Sequence, residues 1–163
     1  MDAHADHLEY IGVGYYYQDY VIVVLKGSGL QLEKILTTLA TIDVSMNNFE
    51  GEIPMSIGKL KSLEGLNLSH NKVVGPIPIS LQHLSNLEGL DLSSNVLSGE
   101  IPNELAADLT QLAFLNLSMN KLVGPIPRGK QFETFENNSY IGNLGLCGFP
   151  LSKPCSNEGA TQL

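Results

Sequence analysis

The sequence predicts an α/β solenoid: a short arc of stacked coils with a parallel sheet lining its concave face. Three observations carry that reading. The 163-residue chain aligns on itself four times, with copies beginning near Leu36, Leu63, Leu87 and Leu112. An asparagine recurs in each copy, Asn47, Asn71, Asn95 and Asn120, at intervals of 24, 24 and 25 residues. A Gly-x-Ile-Pro group then follows at the same offset, at Gly51 to Pro54, Gly75 to Pro78, Gly99 to Pro102 and Gly124 to Pro127. Self-similarity at a period of 20 to 30 residues is the mark of a stack in which each unit buries its apolar face only against its neighbours.

Residues 1–34 form a leader ahead of the repeats. Tyr15 to Leu25 is rich in aromatic and β-branched side chains and reads as a strand, broken by Gly27-Ser28-Gly29. Leu30 to Lys34 reads as a helical or irregular approach to the first coil. The Tyr-rich strand is expected to cover the apolar end of the first repeat, the alternative being an aromatic platform facing a ligand. Left uncovered, Val21 to Leu25 would be an edge open to intermolecular pairing.

Residues 35–131 hold the four repeats. Their strand cores are Ile42 to Ser45, Leu66 to Ser69, Leu90 to Ser93 and Leu115 to Ser118. A period of two sends the aliphatics inward and the intervening residues to the concave face. The recurrent Asn has both a donor and an acceptor on its amide, so Asn47, Asn71, Asn95 and Asn120 are expected to form an internal ladder that satisfies turn backbone. Gly supplies positive φ for the following turn, and Pro limits backbone pairing on the lateral face. Ile57 and Leu60, Leu81 and Leu84, and Leu105 and Leu109 close each coil from the convex side, where the third copy carries its one extra residue in Ala106-Ala107-Asp108.

Residues 132–155 read as a cap, with Phe132, Phe135, Tyr140, Ile141, Leu144, Leu146 and Phe149 expected to seal the last coil, and residues 156–163 as a disordered tail. Cys147 and Cys155 lie in a turn-rich segment, which fits either a local disulfide, implying an oxidising compartment, or two reduced surface thiols. A bridge there would lock the cap. Two cysteines without further ligands do not make a zinc site.

A net charge of -8 and no long Lys/Arg run leave no footprint for nucleic acid or an anionic membrane surface. The longest apolar run, Val21 to Leu25, is too short to span a bilayer, and Met1 to His7 does not read as a signal peptide. Catalytic constellations do not assemble: His70 and His83 fall on different faces, His4, Asp6 and His7 sit in the terminus, and no Gly-rich phosphate loop occurs. The expectation is a binding module, not an enzyme, that calls for no cofactor and no metal.

The concave face should present Thr41, Asp43 and Ser45 in the first repeat and Glu64, Asn67, Ser69 and His70 in the second. Glu88, Asp91, Ser93 and Ser94 follow in the third, and Phe114, Asn116, Ser118 and Met119 in the fourth. Its acidic groups either favour a basic partner or simply keep the face soluble. Sequons at Asn67, Asn116 and Asn137 are glycan acceptors if the chain is exported, Asn137 being favoured by its place in a loop before the cap, while a glycan on either of the other two would crowd the concave face.

The shared Leu-x-x-Leu-x-Leu-x-x-Asn core with Gly-x-Ile-Pro resembles the plant-specific class of leucine-rich repeats. Ile126 through Cys155, with Gly142-Asn143-Leu144-Gly145-Leu146-Cys147-Gly148, resembles the C-terminal ectodomain cap of plant receptor-like proteins of the disease-resistance type. Tyr15 to Lys34 is similar to the end of the island that interrupts such solenoids before their last four repeats. The resemblance implies a place on the extracellular face of the plasma membrane and perception of pathogen-derived or developmental signals. It also implies protein partners, namely receptor kinases or a co-receptor of the somatic-embryogenesis-receptor type, with a peptide or protein ligand. The family's signal peptide, N-terminal cysteine cap, upstream repeats and transmembrane helix have no counterpart in these 163 residues. The alternatives are a secreted soluble repeat protein acting as an inhibitor or decoy, and a truncated copy without function.

Overall fold

The computed structural model describes residues 40–156, and the expectations for the leader and for the tail beyond Ser156 lie outside them. Two parallel sheets run along the stack. The concave sheet takes one three-residue strand per coil: β1 (Thr41–Asp43), β3 (Gly65–Asn67), β5 (Gly89–Asp91) and β7 (Phe114–Asn116). They pair in that order and in strict register, so Thr41, Gly65, Gly89 and Phe114 form one row and Asp43, Asn67, Asp91 and Asn116 another.

The second sheet was not foreseen from the sequence. It consists of β2 (Glu50–Glu52), β4 (Lys72–Gly75), β6 (Val96–Glu100), β8 (Lys121–Pro125) and β9 (Gly145–Cys147). The lateral segments therefore pair up to the residues just before each Ile-Pro, and the prolines end the pairing rather than prevent it. Successive strands slip against one another: Glu50 pairs with Lys72 and Val74 with Val96, although each partner lies two residues nearer its own ladder Asn. Each coil therefore meets the next in register on its concave side and with a slip on its lateral side.

The core is a set of aliphatic columns. Ile42, Leu66, Leu90 and Leu115 point inward from the concave strands, followed by Val44, Leu68, Leu92 and Leu117. Val73, Leu97 and Leu122 come from the second sheet, and Ile53, Ile77, Ile101 and Ile126 from the Ile-Pro groups. On the convex side, Pro54 and Pro78 lead into 3-10 turns at Met55–Lys59 and Ile79–His83, which bury Ile57 and Leu81. The third coil differs. Its extra residue converts the turn to a helix, α1 (Asn103–Asp108), whose closing bond runs from Leu109 N–H to Leu105, four residues back, where Leu60 and Leu84 reach three. Coils touch closely here: a Cβ on Gly58 would overlap the Ser80 carbonyl, and one on Gly129 would lie 2.6 Å from the Ala106 carbonyl oxygen.

Asn71, Asn95 and Asn120 sit inside the coil turns. Asn95 is typical: its Nδ2 donates to the carbonyls of Leu92 and Ser93 in its own coil at 3.2 Å each, and of Leu68 in the preceding coil at 2.9 Å. Its Oδ1 accepts Val73 N–H at 3.0 Å. Asn47 donates to Val44 and Ser45. A fifth rung, missed in the sequence, is Asn143 in the cap, which donates to Leu117 and Tyr140 and accepts Leu122 N–H.

The cap imitates a coil without a concave strand. Ser139 and Ile141 accept the last bonds from Leu117 and Met119, and β9 extends the second sheet. Phe132, Phe135, Tyr140 and Leu146 are buried, with the two phenylalanine rings edge to face at 5.7 Å. Ile141, Leu144 and Phe149 do not seal the coil as expected. Leu144 is 89% exposed because it follows the ladder Asn directly, the outward position filled by Lys72, Val96 and Lys121 in earlier coils. Ile141 lies on the outer side of a coil that no other coil follows among the described residues. Phe149 stays at the surface under the Arg128 guanidinium, 5.9 Å from its ring centroid. Cys147 and Cys155 are joined by a disulfide, and Gly148 N–H donates to Lys153 within the loop it closes.

Candidate functional site

The concave sheet is the surface on which this fold gathers outward side chains. In each coil the second outward residue is Asp or Asn, and its Oδ1 accepts the backbone N–H of the Ser two residues on: Asp43 with Ser45, Asn67 with Ser69, Asp91 with Ser93, Asn116 with Ser118. In three of the four the Ser hydroxyl donates to the same oxygen at 2.6 to 2.7 Å. This Asx turn ends the strand and fixes the carboxylate or amide rotamer. The residue after the Ser then takes a left-handed conformation without being glycine: Met46, His70, Ser94 and Met119 have φ between 54° and 59°. Gly142 fills that place in the cap, against Met119.

These turns sort the sequence-predicted residues. Thr41, Asp43, Glu64, His70, Glu88, Phe114 and Met119 are exposed, and Ser45, Asn67, Asp91, Ser94 and Asn116 partly so. Ser69, Ser93 and Ser118 are buried and do not belong to the presented face, because the Asx turn folds them back under the sheet rim. Asn67 and Asn116 sit in the sheet itself with Oδ1 engaged, whereas Asn137 is exposed at the start of a 3-10 turn, Asn137–Ser139.

The outward positions of the four strands, and the residues just before them, carry Asp43, Glu64, Glu88 and Asp91 and no Lys or Arg. At the centre lies a hollow of about 320 Å³ floored by Gly65 and Gly89 and bordered by Thr41, Asp43, Asp91 and Phe114. A Cβ on Gly89 would meet nothing within 4 Å. Phe114, 54% exposed, also borders a second hollow of about 390 Å³ against the cap loop, where Thr134 to Glu136 face β7. A third hollow of about 420 Å³ lies at the cap end between Ile141, Leu144 and Leu151. Tyr140 borders it with a buried hydroxyl that has no hydrogen-bond partner among the described residues, and burial pushes its ionisation well above the ordinary tyrosine range.

Among the described residues no cluster of His, Cys, Asp or Glu has the arrangement to hold a metal ion, and no helix is long and apolar enough to cross a membrane. His83 lies on the convex turn, far from the concave rim that carries His70. The concave surface carries a fixed row of hydrogen-bonding groups, acidic flanks and one aromatic wall.

Comparison with known proteins agrees with this architecture. A Leucine Rich Repeat family profile matches residues 38–60, 62–84 and 86–107. Receptor-like protein 9DC3 of Solanum pimpinellifolium is 60% identical over 152 residues, which is 92% of this chain and 18% of that protein. Matches to seven receptor-like proteins of Arabidopsis thaliana cover 6% to 9% of their lengths, so the chain spans a small part of the curated relatives it resembles. Among solved structures, a chain of the BIR3–SERK2 complex from Arabidopsis thaliana superimposes with a TM-score of 0.57 and 32% identity, covering 71% of this chain and 72% of that one. The Arabidopsis receptor kinase HAESA in complex with the peptide hormone IDA and the co-receptor SERK1 gives a TM-score of 0.61 and 41% identity, over 73% of this chain and 20% of that one. On the repeats that the profile matches and the identity that runs over 92% of its length, the chain belongs to the leucine-rich-repeat family of plant receptor-like proteins.

Proposed function

We propose that this chain is the protein-binding end of a plant cell-surface receptor-like protein, contacting a co-receptor kinase through its concave face and cap outside the cell, in defence or developmental signal perception. The observation that carries the reading is the 60% identity to Receptor-like protein 9DC3, which extends over 92% of the chain and so includes both repeats and cap. The HAESA complex with IDA and SERK1 supports the kind of partner, since a similar arc there belongs to an assembly with a peptide and a co-receptor. The chemistry of the surface agrees: it binds and orients, and carries no acid-base or nucleophile pair aimed at a common point.

The test is direct. The full chain, secreted through an added leader so that Cys147 and Cys155 oxidise, is titrated against purified SERK-type ectodomains, with an unrelated leucine-rich-repeat ectodomain as control. Saturable binding is expected, weakened by Phe114→Ala on the concave side and unchanged by His83→Ala on the convex side. A cooperatively folded chain that binds no SERK-type ectodomain above the control would refute the proposal.

A further inference from the structure

We infer that the glycine-floored hollow on the concave sheet is a subsite for one arginine side chain, presented by an extended segment of a protein partner. The inference deepens the proposed function, on which it rests in taking the partner to be a protein. Strict register puts Gly65 and Gly89 side by side in one row, between Thr41 on one flank and Phe114 on the other. Strands lie about 4.8 Å apart, so the row spans roughly 14 Å across the four strands, the length of about four extended residues. Where neighbouring rows carry side chains, these two positions carry none, and the sheet backbone is open to approach.

The walls state what would enter. Phe114 holds an exposed aromatic face beside Gly89. Asp91 follows Gly89 by two residues on the same strand, about 7 Å along it, and its Oδ1 is held by the backbone N–H and hydroxyl of Ser93. Asp91 is partly exposed, and the turn does not use its second carboxylate oxygen. Asp43 is held in the same way by Ser45, and Glu64 and Glu88 flank the row. A planar cation can lie along an aromatic face while donating edge-on to a carboxylate, and guanidinium does both where ammonium does one. The outward positions of the four strands, and the residues just before them, carry no Lys or Arg to set against those carboxylates.

The test uses the ¹⁵N-labelled full chain and the pentapeptide acetyl-Gly-Gly-Arg-Gly-Gly-amide, with citrulline and lysine versions as probes. Arginine is expected to give saturable amide shifts at Gly65, Gly89, Asp91 and Phe114. Half-saturation should rise at least about ten-fold for the uncharged citrulline isostere and by a smaller factor for lysine. Gly89→Val fills the hollow at a strand position where a Cβ meets nothing, so the fold persists while the shifts vanish. Phe114→Ala, at an exposed site, should weaken arginine more than lysine. Equal shifts from citrulline, shifts that map off the row, or an unaltered response in Gly89→Val would overturn the inference. SERK-type ectodomains that bind wild type and Gly89→Val equally would also remove the subsite and leave the proposed function standing. A subsite that responds to arginine in a chain that binds no such ectodomain would do the reverse.

Discussion

Removing one rung of the asparagine ladder gives a sharp energetic test, because the consequences can be followed atom by atom. Asn95→Ala deletes three donations, to Leu68, Leu92 and Ser93, and one acceptor, that of Val73 N–H. The carbonyls do not fall silent together. Leu68 keeps the amide of Asn71, Leu92 keeps that of Asn120, and Ser93 keeps His70 N–H. Val73 N–H alone is orphaned, in a residue that is 1% exposed. An orphaned buried donor costs about 1 to 3 kcal/mol, and each lost bond to a still-satisfied carbonyl about 0.5 kcal/mol, so the substitution should cost about 3 kcal/mol. For a domain of this size that lowers the melting temperature by about 10 °C. Asn95→Asp preserves volume and the acceptor for Val73 but turns a second oxygen toward three carbonyl oxygens, and should destabilise at least as much. Asn86→Ala, which deletes one exposed 3.4 Å contact to Lys61, is the control and should stay within about 0.5 kcal/mol of wild type. Urea unfolding of the oxidised full chain followed by circular dichroism reads all three. If Asn95→Ala and Asn86→Ala proved equally mild, the ladder would not be what ties coil to coil.

Other substitutions probe separate parts of the stack. Gly58→Val would drive a side chain into the Ser80 carbonyl of the next coil and should cost more than 2 kcal/mol, seen as early loss of amide protection in the convex turns. Converting Cys147 and Cys155 together to Ser opens a loop with a sequence separation of 8 and should lower stability by about 2.5 kcal/mol in the chain-entropy model, an effect that reductant on wild type should reproduce. Tyr140→Phe removes a buried hydroxyl that has no partner among the described residues and should leave stability equal or raise it by up to about 1 kcal/mol. A clear loss would mean that the hydroxyl has a bound partner such as ordered water.

The repeats made much of this legible in the sequence. Leucine and isoleucine at fixed offsets put Ile42, Leu66, Leu90 and Leu115 inside without reference to any structure, because a period of two leaves those residues nowhere else to go. The second sheet was harder to see. Its strands pair backbone to backbone through segments such as Lys72–Gly75, where only Val73 is buried and the pattern is too short to announce a strand. The signal that was there is the recurrence of an apolar residue two places after the Asn of each repeat, in Phe49, Val73, Leu97 and Leu122. The fifth rung hid for a different reason: Tyr140 replaces the usual leucine ahead of Asn143, so the motif fails letter by letter while its geometry holds. On the concave face, alternation alone cannot tell Ser93 from Asp91, since what buries the serine is a side-chain turn made by its neighbour. Glycines at 65 and 89 read as gaps in a strand until register sets them side by side.

The Asx turn that closes each concave strand accepts either a carboxylate or an amide, since Oδ1 is the only atom it uses. That tolerance reaches beyond stability. In Asn67-Leu68-Ser69 and Asn116-Leu117-Ser118 the amide version spells a glycan acceptor, while Asp43-Val44-Ser45 and Asp91-Leu92-Ser93 do not. Exchange of one oxygen for one nitrogen in any coil thus writes or erases the Asn-x-Ser sequon on the inner surface while the Oδ1 bond beneath it stays as it is. One substitution at this position in a coil therefore changes the chemistry that the inner surface presents while the turn that holds it keeps its form.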